Sequence, residues 1–182
     1  MTSSSTRMLA LLRGINVGGK NKVPMEDLRS IAAALGFTDV STYIQSGNLV
    51  FSSTLGASEC ESALEEAITA KFTLKIPVIV RTREQWARYA KGSPFGDAER
   101  ERPNILHIAV SKSPLAKGAM EALARFTAAG ERVEALDDAL WIDFNEGVGR
   151  SKLTPAVLDR AAGSPVTARN WNSVVKLAAL LG

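Results

Sequence analysis

The hydrophobic positions along the chain alternate between short apolar runs and longer stripes at helical spacing. Met8 to Leu12 is a continuous apolar run that predicts a buried strand. Behind Pro24, the residues Met25, Leu28, Ile31 and Leu35 recur every three or four positions, which predicts a helix opened by a proline and stopped at Gly36. Val40, Thr42 and Ile44 alternate with Ser41, Tyr43 and Gln45 as a half-buried strand does. Ser46-Gly47-Asn48 then makes a turn, and Leu49 to Phe51 begins the return strand. Ser58 and Glu61 have capping-box spacing at the head of a helix with an inner face of Cys60, Leu64, Ala67, Ile68 and Phe72. Ile76 to Val80 closes the series as a strand. The order βαββαβ is that of a ferredoxin-like sandwich, two helices on one face of an antiparallel sheet.

Beyond it, Thr82 and Gln85 suit the cap of a short helix carrying Trp86 and Tyr89, and Gly92 to Arg102 reads as surface loop. A second unit starts at Ile105. Leu106, Ile108 and Val110 form one strand face with His107 on the other. Ser113-Pro114 opens a helix through Leu115, Ala119, Leu123 and Phe126, and strands at Arg132–Leu136 and Leu140–Phe144 suit a hairpin through Asp137-Asp138. Thr154-Pro155 starts a helix that stops at Gly163. Thr167 is the expected cap of a last helix with inner stripe Trp171, Val174, Val175, Ala178 and Leu181, and Arg169 and Asn170 fall in its first turn. The fold class is therefore α+β: a ferredoxin-like βαββαβ first half, residues 1–82, and a second, smaller α/β unit with C-terminal helices, residues 83–182. The second unit echoes the order of the first, with no side-by-side repeat in sequence.

Composition adds exclusions. Hydrophobic residues make up 46% and charged residues 23%, ordinary values for a globular chain, although the polar run Thr2 to Thr6 is expected to fray. No stretch approaches the roughly 20 apolar residues that span a bilayer, and no basic segment followed by an apolar run marks an export signal. The one cysteine, Cys60, lies on a helical apolar stripe, where a buried structural thiol is expected, and it leaves no internal disulfide or cysteine-rich metal site. A cytoplasmic protein with no membrane partner, metal or cofactor is the expectation; the pattern leaves oligomeric state open.

The net charge of +3 matters less than its placement. Leu9 to Pro24 carries Arg13, Lys20 and Lys22 and no acid, while Arg150 to Gly182 carries Arg150, Lys152, Arg160, Arg169 and Lys176 against Asp159 alone. Such blocks favour an anionic partner. In the first, Arg13, Gly14, Asn16, Gly18, Gly19 and Lys20 form a strand–loop–helix segment whose glycines let backbone N–H groups converge on an anion. It is neither GxxxxGK[ST] nor GxGxxG, and a glycine turn at a sheet end explains it nearly as well. Tyr43, Gln45, Ser46 and Asn48 form a second group, an aromatic with amides suited to a base edge, or simply a tight turn. A third, Arg150, Ser151 and Lys152 behind Gly147 and Gly149, again precedes a helix, and Arg169 with Asn170 joins it because an arginine in a helix's first turn needs an anionic partner.

These segments also carry a resemblance. Ala10-Leu11-Leu12-Arg13-Gly14-Ile15-Asn16-Val17-Gly18-Gly19, Lys22-Val23-Pro24-Met25 and Thr42-Tyr43-Ile44-Gln45-Ser46-Gly47-Asn48 resemble the signature of the bacterial domain of unknown function 1697 family. Pro94-Phe95, Gly149-Arg150-Ser151-Lys152-Leu153-Thr154 and Thr167-Ala168-Arg169-Asn170-Trp171-Asn172 are similar to it as well, and Trp141 stands where such proteins often have Tyr. The resemblance covers nearly the whole chain and implies a two-part α+β fold with a ferredoxin-like first half. It implies no activity.

The leading functional expectation is binding of a phosphate-bearing ligand or nucleic acid through these Gly/Arg/Lys/Asn loops, with Arg13 and Lys20 sharing one anion with Arg150 and Lys152. One alternative is an enzyme acting on a nucleotide-like or phosphorylated substrate, with His107, Asp143 or Tyr43 moving the proton. Another is a protein-interaction module. No residue receives a catalytic role from the sequence: HExxH, GxSxG and diagnostic carboxylate pairs are missing.

Overall fold

The computed structural model describes residues 4–182. Of the run expected to fray, Thr2 and Ser3 lie outside the described residues and Thr6 already belongs to a strand. The chain divides into two compact units, one made of the residues up to Trp86 with Ala179–Gly182, the other of Ala87–Ala178. Among the described residues no helix is long and apolar enough to cross a membrane.

The first unit runs β1 (Thr6–Leu12), α1 (Met25–Ala34), β2 (Thr38–Tyr43), β3 (Asn48–Ser53), α2 (Ala57–Phe72) and β4 (Val78–Thr82). Its sheet is antiparallel in the order β2-β3-β1-β4, the ferredoxin-like arrangement. Met8, Ala10, Leu12, Leu49, Phe51, Val78 and Val80 face the helices and pack with Leu28 and Ile31 of α1 and Cys60, Leu64 and Ile68 of α2. Full burial of each large apolar side chain contributes about 1.5–3 kcal/mol before entropy is counted. The alternate residues Leu9, Leu11, Val50 and Ile79 are buried too. Burial on both faces is why β1 reads as a continuous apolar run instead of an alternation. Cys60 is a buried thiol, pushed up from its ordinary pKa chiefly by burial, as its place in the apolar stripe implied.

The start of α2 differs from expectation. Ser58 and Glu61 do not cap it; Gly56 does, its N–H donating to Glu59 Oε2 at 2.8 Å. Glu61 is instead buried, and its Oε1 accepts from Val80 N at 2.8 Å, while Glu65 Oε1 accepts from Val78 N at 2.8 Å. The capping-box spacing competed with a longer-range hydrogen bond that sequence does not display. Strand β4 passes directly into α3 (Arg83–Tyr89), where Thr82 and Gln85 exchange the expected pair of capping bonds.

The second unit contains α4 (Gly96–Glu101), β5 (Leu106–Ser111), α5 (Ala119–Ala124), β6 (Arg132–Leu136), β7 (Ala139–Asp143), a short 3-10 turn at Val148–Arg150, α6 (Pro155–Ala162), β8 (Val166–Asn170) and most of α7 (Trp171–Leu181). Its sheet order, β6-β7-β5-β8, reproduces the wiring of the first unit. Ala109, Leu140, Ile142 and Phe144 face Leu123 of α5 and Leu158 and Ala161 of α6. The register makes the repeat specific. Leu9 pairs with Arg81 as Ile108 pairs with Arg169, Arg13 N donates to Pro77 O as Lys112 N donates to Pro165 O, and Asp159 Oδ1 accepts from Val166 N as Glu65 accepts from Val78 N.

Several local expectations change here. The segment read as surface loop contains α4, with Phe95 and Ala98 buried. The helix expected from Ser113-Pro114 begins only at Ala119, because residues before it are tied to the end of α6 through Ala116 N to Ala162 O and to the turn ahead of β8 through Lys112 N to Pro165 O. Thr154 caps α6 as expected, its Oγ1 accepting from Val157 N. Arg169 and Asn170 do not lie in a helix: they end β8, and Asn170 Oδ1, not Thr167, caps α7 by accepting from Ser173 N at 3.0 Å. In α7 the buried residues include Val174, Leu177 and Leu181, whereas Val175 is exposed.

Glu61 gives a direct test. Replacing it with Ala leaves the buried Val80 N–H without this acceptor, an expected loss of about 1–3 kcal/mol in urea unfolding. Glu61→Gln keeps a carbonyl acceptor and is expected to retain most of that stability.

Candidate functional site

The sequence-selected residues of the first unit come together at one end of its sheet, where β1 ends, β3 begins and α1 starts. Asn16, in the left-handed region at φ 54°, is the connector. Its Nδ2 donates to Val23 O at 3.0 Å and to Gln45 O at 2.8 Å, and its Oδ1 accepts from Val23 N at 2.9 Å. Asn21 Nδ2 adds a bond to Gly14 O at 3.0 Å, and Lys20 N one to Val17 O at 3.0 Å. Opposite, Asn48 Nδ2 donates to Tyr43 O and Ser46 Oγ, both at 3.0 Å, so this buried amide holds the β2–β3 turn instead of reaching outward. Gly47 seats the turn against the loop. Leu12 N donates to its carbonyl, its φ is +81°, and a Cβ there would meet Leu12 Cβ and Ile15 Cδ1 at 2.8 Å. Asn16 and Asn48 thus build the platform; Gly18, Gly19, Lys20, Lys22 and Gln45 are exposed on it, with Arg13 and Tyr43 partly exposed. Ile44, expected in the strand alternation, instead follows β2 in the left-handed region at φ 50° with its side chain exposed.

Neither helix start is an open anion cradle. The first turn of α1 has no side-chain cap but already carries Glu26 and Asp27. That of α6 is satisfied by Thr154. Arg150 is 82% exposed with Glu146 Oε2 at 3.7 Å, Ser151 Oγ accepts from Leu153 N, and Lys152 is exposed. This loop follows β7, the third strand of its repeat, whereas the Arg13 loop follows the first strand of its own. The position equivalent to the Arg13 loop is Lys112–Gly118, which also carries two lysines and no acid. Sequence reasoning missed it because the equivalence rests on register.

Two of the residues offered as proton carriers, His107 and Asp143, do not face one another. Leu106 pairs with Asp143 and His107 with Ile142, so His107 and Asp143 project from opposite faces of the sheet. His107 packs edge-on against Phe144 at 5.2 Å. Burial, reinforced by Arg169, lowers its pKa to about 4. Arg169 is itself buried, which brings it down to about 10, and it donates to Thr167 Oγ1 and Ala168 O. Asp143 is fully buried and accepts from Arg102 Nη2 and Arg132 Nη2, each at 2.7 Å, while Asp97 bonds the same two arginines at 3.0 and 2.7 Å. Arg132 also lies over the Phe95 ring at 4.6 Å. Burial alone pushes Asp143 up, but the two guanidinium donors hold it below its ordinary value; the Arg132 bond holds Asp97 well below the carboxylate range. This network, which sequence spacing does not reveal, fastens α4 to β6 and β7. A groove of about 580 Å³ in the first unit is lined by Glu65, Glu66, Thr69, Ala70, Ile76 and Pro77 with Lys75, an apolar and acidic lining unsuited to phosphate.

Comparison with known proteins agrees with this architecture. The family described as "Protein of unknown function (DUF1697)" matches residues 5–141. Among solved structures, the conserved bacterial protein SP0830 from Streptococcus pneumoniae aligns with a TM-score of 0.75 at 23% identity, covering 98% of this chain and 100% of that one. That likeness is one of fold. No curated protein matches the chain.

Two measurements check the electrostatics. Asp143→Ala leaves Arg102 and Arg132 to Asp97 alone, and is expected to cost about 1.5–3 kcal/mol in denaturant unfolding, the size of a lost hydrogen bond to a charged group. Because the folded state holds Asp143 and Asp97 below the unfolded value near 4, their stabilisation is fully present above that pH and is lost progressively below it, as the pH falls through the lower folded-state values. His107, the one histidine, is expected to titrate by NMR with a midpoint near 4. Since the unfolded imidazole takes up its proton near 6.5, stability declines as pH drops from 6.5 towards 4, and His107→Phe flattens that decline.

Proposed function

The chain belongs to the DUF1697 family, and we propose that it binds nucleic acid through the first unit's platform of Gly18, Gly19, Lys20, Lys22 and Gln45. The observation that carries this reading is the Asn16 bridge, which ties the basic, acid-free loop to the β2–β3 turn. Two exposed segments are thereby held in one arrangement before any ligand arrives, and preorganisation lowers the ordering cost of binding. An extended polyanion suits this surface better than a single phosphate. The candidate cations stand on exposed loops, and the neighbouring helix start carries Glu26 and Asp27. Lys112 and Lys117 give the second unit its own basic, acid-free loop at the equivalent position. Contacts to a phosphate backbone need charges spread along a surface, not an enclosed cavity. The enzyme alternative has less support, because His107 and Asp143 lie on opposite sheet faces and Asp143 is engaged by Arg102 and Arg132.

Fluorescence anisotropy with labelled oligonucleotides, titrated between about 50 and 200 mM salt, tests the reading. Binding is expected to weaken steeply with salt. Lys20→Ala and Lys22→Ala are each expected to reduce the slope of log K against log salt by about 0.9, with little change in unfolding temperature because both side chains are exposed. No binding at low salt, or an unchanged slope in the double variant, rejects it.

A further inference from the structure

Two aliphatic side chains on the platform have no packing role that matches their cost. Val17 is 66% exposed and Ile44 51% exposed, the two highest values among the exposed large hydrophobics. They flank a single hydrogen bond, Asn16 Nδ2 to Gln45 O at 2.8 Å. Ile44 is also held at φ 50°, where a β-branched side chain crowds its own backbone and glycine does not. A fold that needed only a turn at this position would be more stable with glycine, so the exposed sec-butyl surface of Ile44 is retained against a local energetic penalty. Such outliers concentrate where a surface makes contact with something else.

The tip beside them is narrow. Lys20 N bonds back to Val17 O, and the two central residues, Gly18 and Gly19, have φ of 57° and 76°. A Cβ at either would meet nothing within 4 Å, so these glycines serve the backbone turn and leave the tip without bulk; they do not make room for a packed neighbour. Lys20 and Lys22 stand exposed on the same loop.

Resting on the nucleic-acid reading above, the geometry points to duplex DNA as the ligand class, with Val17 and Ile44 as apolar wedges against base steps in the minor groove and Lys20 and Lys22 on the flanking phosphates. Single strands are bound on exposed aromatic platforms; among the described residues the exposed large hydrophobics, Val17, Ile44, Leu55, Leu136, Val148 and Val175, are all aliphatic, and the platform aromatic Tyr43 is only partly exposed. Aliphatic side chains on a slender projection match instead the wedges that enter the DNA minor groove and partly unstack a step. The wide, shallow minor groove of an RNA duplex offers no such seat. Unstacking is easiest at pyrimidine–purine steps, so a duplex with central TA steps is preferred over a stiff A-tract of equal length.

Anisotropy with three probes tests this: the TA-step duplex, the A-tract duplex, and a single strand of the TA sequence. Wild-type protein is expected to bind the TA-step duplex most tightly. Ile44→Gly is expected to raise the unfolding temperature, because the strained conformation then suits its residue, while weakening TA-duplex binding about tenfold, the size of one lost base contact. Val17→Ser is expected to act in the same direction, and both are expected to keep the salt slope that Lys20→Ala and Lys22→Ala reduce. If the lysine variants lose affinity but Ile44→Gly and Val17→Ser keep both affinity and TA preference, the wedge assignment fails and nucleic-acid binding stands. Preference for the single strand, or a lower unfolding temperature in Ile44→Gly, also overturns the assignment. Binding to none of the three probes overturns both.

Discussion

The side-chain amide of Asn16 is the interaction on which the arrangement of the first unit's loops depends. A loop of glycines and lysines has many conformations, and closing it costs backbone entropy that its own short bonds do not recover. One amide with two donors and an acceptor reaches both Val23, at the foot of α1, and Gln45, in the turn between β2 and β3. The left-handed backbone at Asn16 aims that amide inward, a conformation that asparagine tolerates better than most residues. The same kind of bond gives structural work to two polar residues read as candidate ligand contacts. Asn16 and Asn48 are framework, and what they frame is the exposed surface between them.

The second unit solves a different problem, the burial of charge. Asp143 ends β7 with no exposed surface, a position that requires partners for its carboxylate oxygens. Arg102 and Arg132 supply them, and Asp97 bridges the same guanidiniums from α4. Each carboxylate bonds both guanidiniums, so the segment holding Phe95 and Ala98 against the sheet is positioned by electrostatics as well as by apolar contact.

How far the sequence disclosed this depends on the range of the interaction. Local periodicity was enough for α1, where Met25, Leu28 and Ile31 are buried, for the caps at Thr82 and Thr154, and for the ferredoxin-like order of the first unit. It failed where a distant partner outweighed a local pattern, as when Glu61 turned from a cap to Val80 and when Ala116 was tied to Ala162 instead of joining a helix. It also failed where strand register decides, as for His107 and Asp143, both offered as proton carriers and found on opposite faces. The internal repeat showed only as an echo in element order, without residue-level correspondence, for the same reason. Its equivalent pairs, Arg13 with Lys112 and Glu65 with Asp159, share roles more than residue types, while Pro77 with Pro165 and Arg81 with Arg169 are identities too sparse to align by eye. Of the candidate site, the basic loop and the turn were legible as residues. Their joining through Asn16 was not, because a hydrogen bond across 29 positions leaves no periodic trace.

The glutamates of α2 have a consequence for the protein in solution. Strands β4 and β8 are each at the margin of their sheets, where unpaired N–H groups ordinarily invite another chain to add a strand. Glu61 and Glu65 already occupy the N–H groups of Val80 and Val78, and Asp159 that of Val166. Each unit thereby shields one margin with its own carboxylates, without needing a second copy of the chain to cover it. Strand-by-strand aggregation through β4 or β8 must first displace a charged acceptor from its bond.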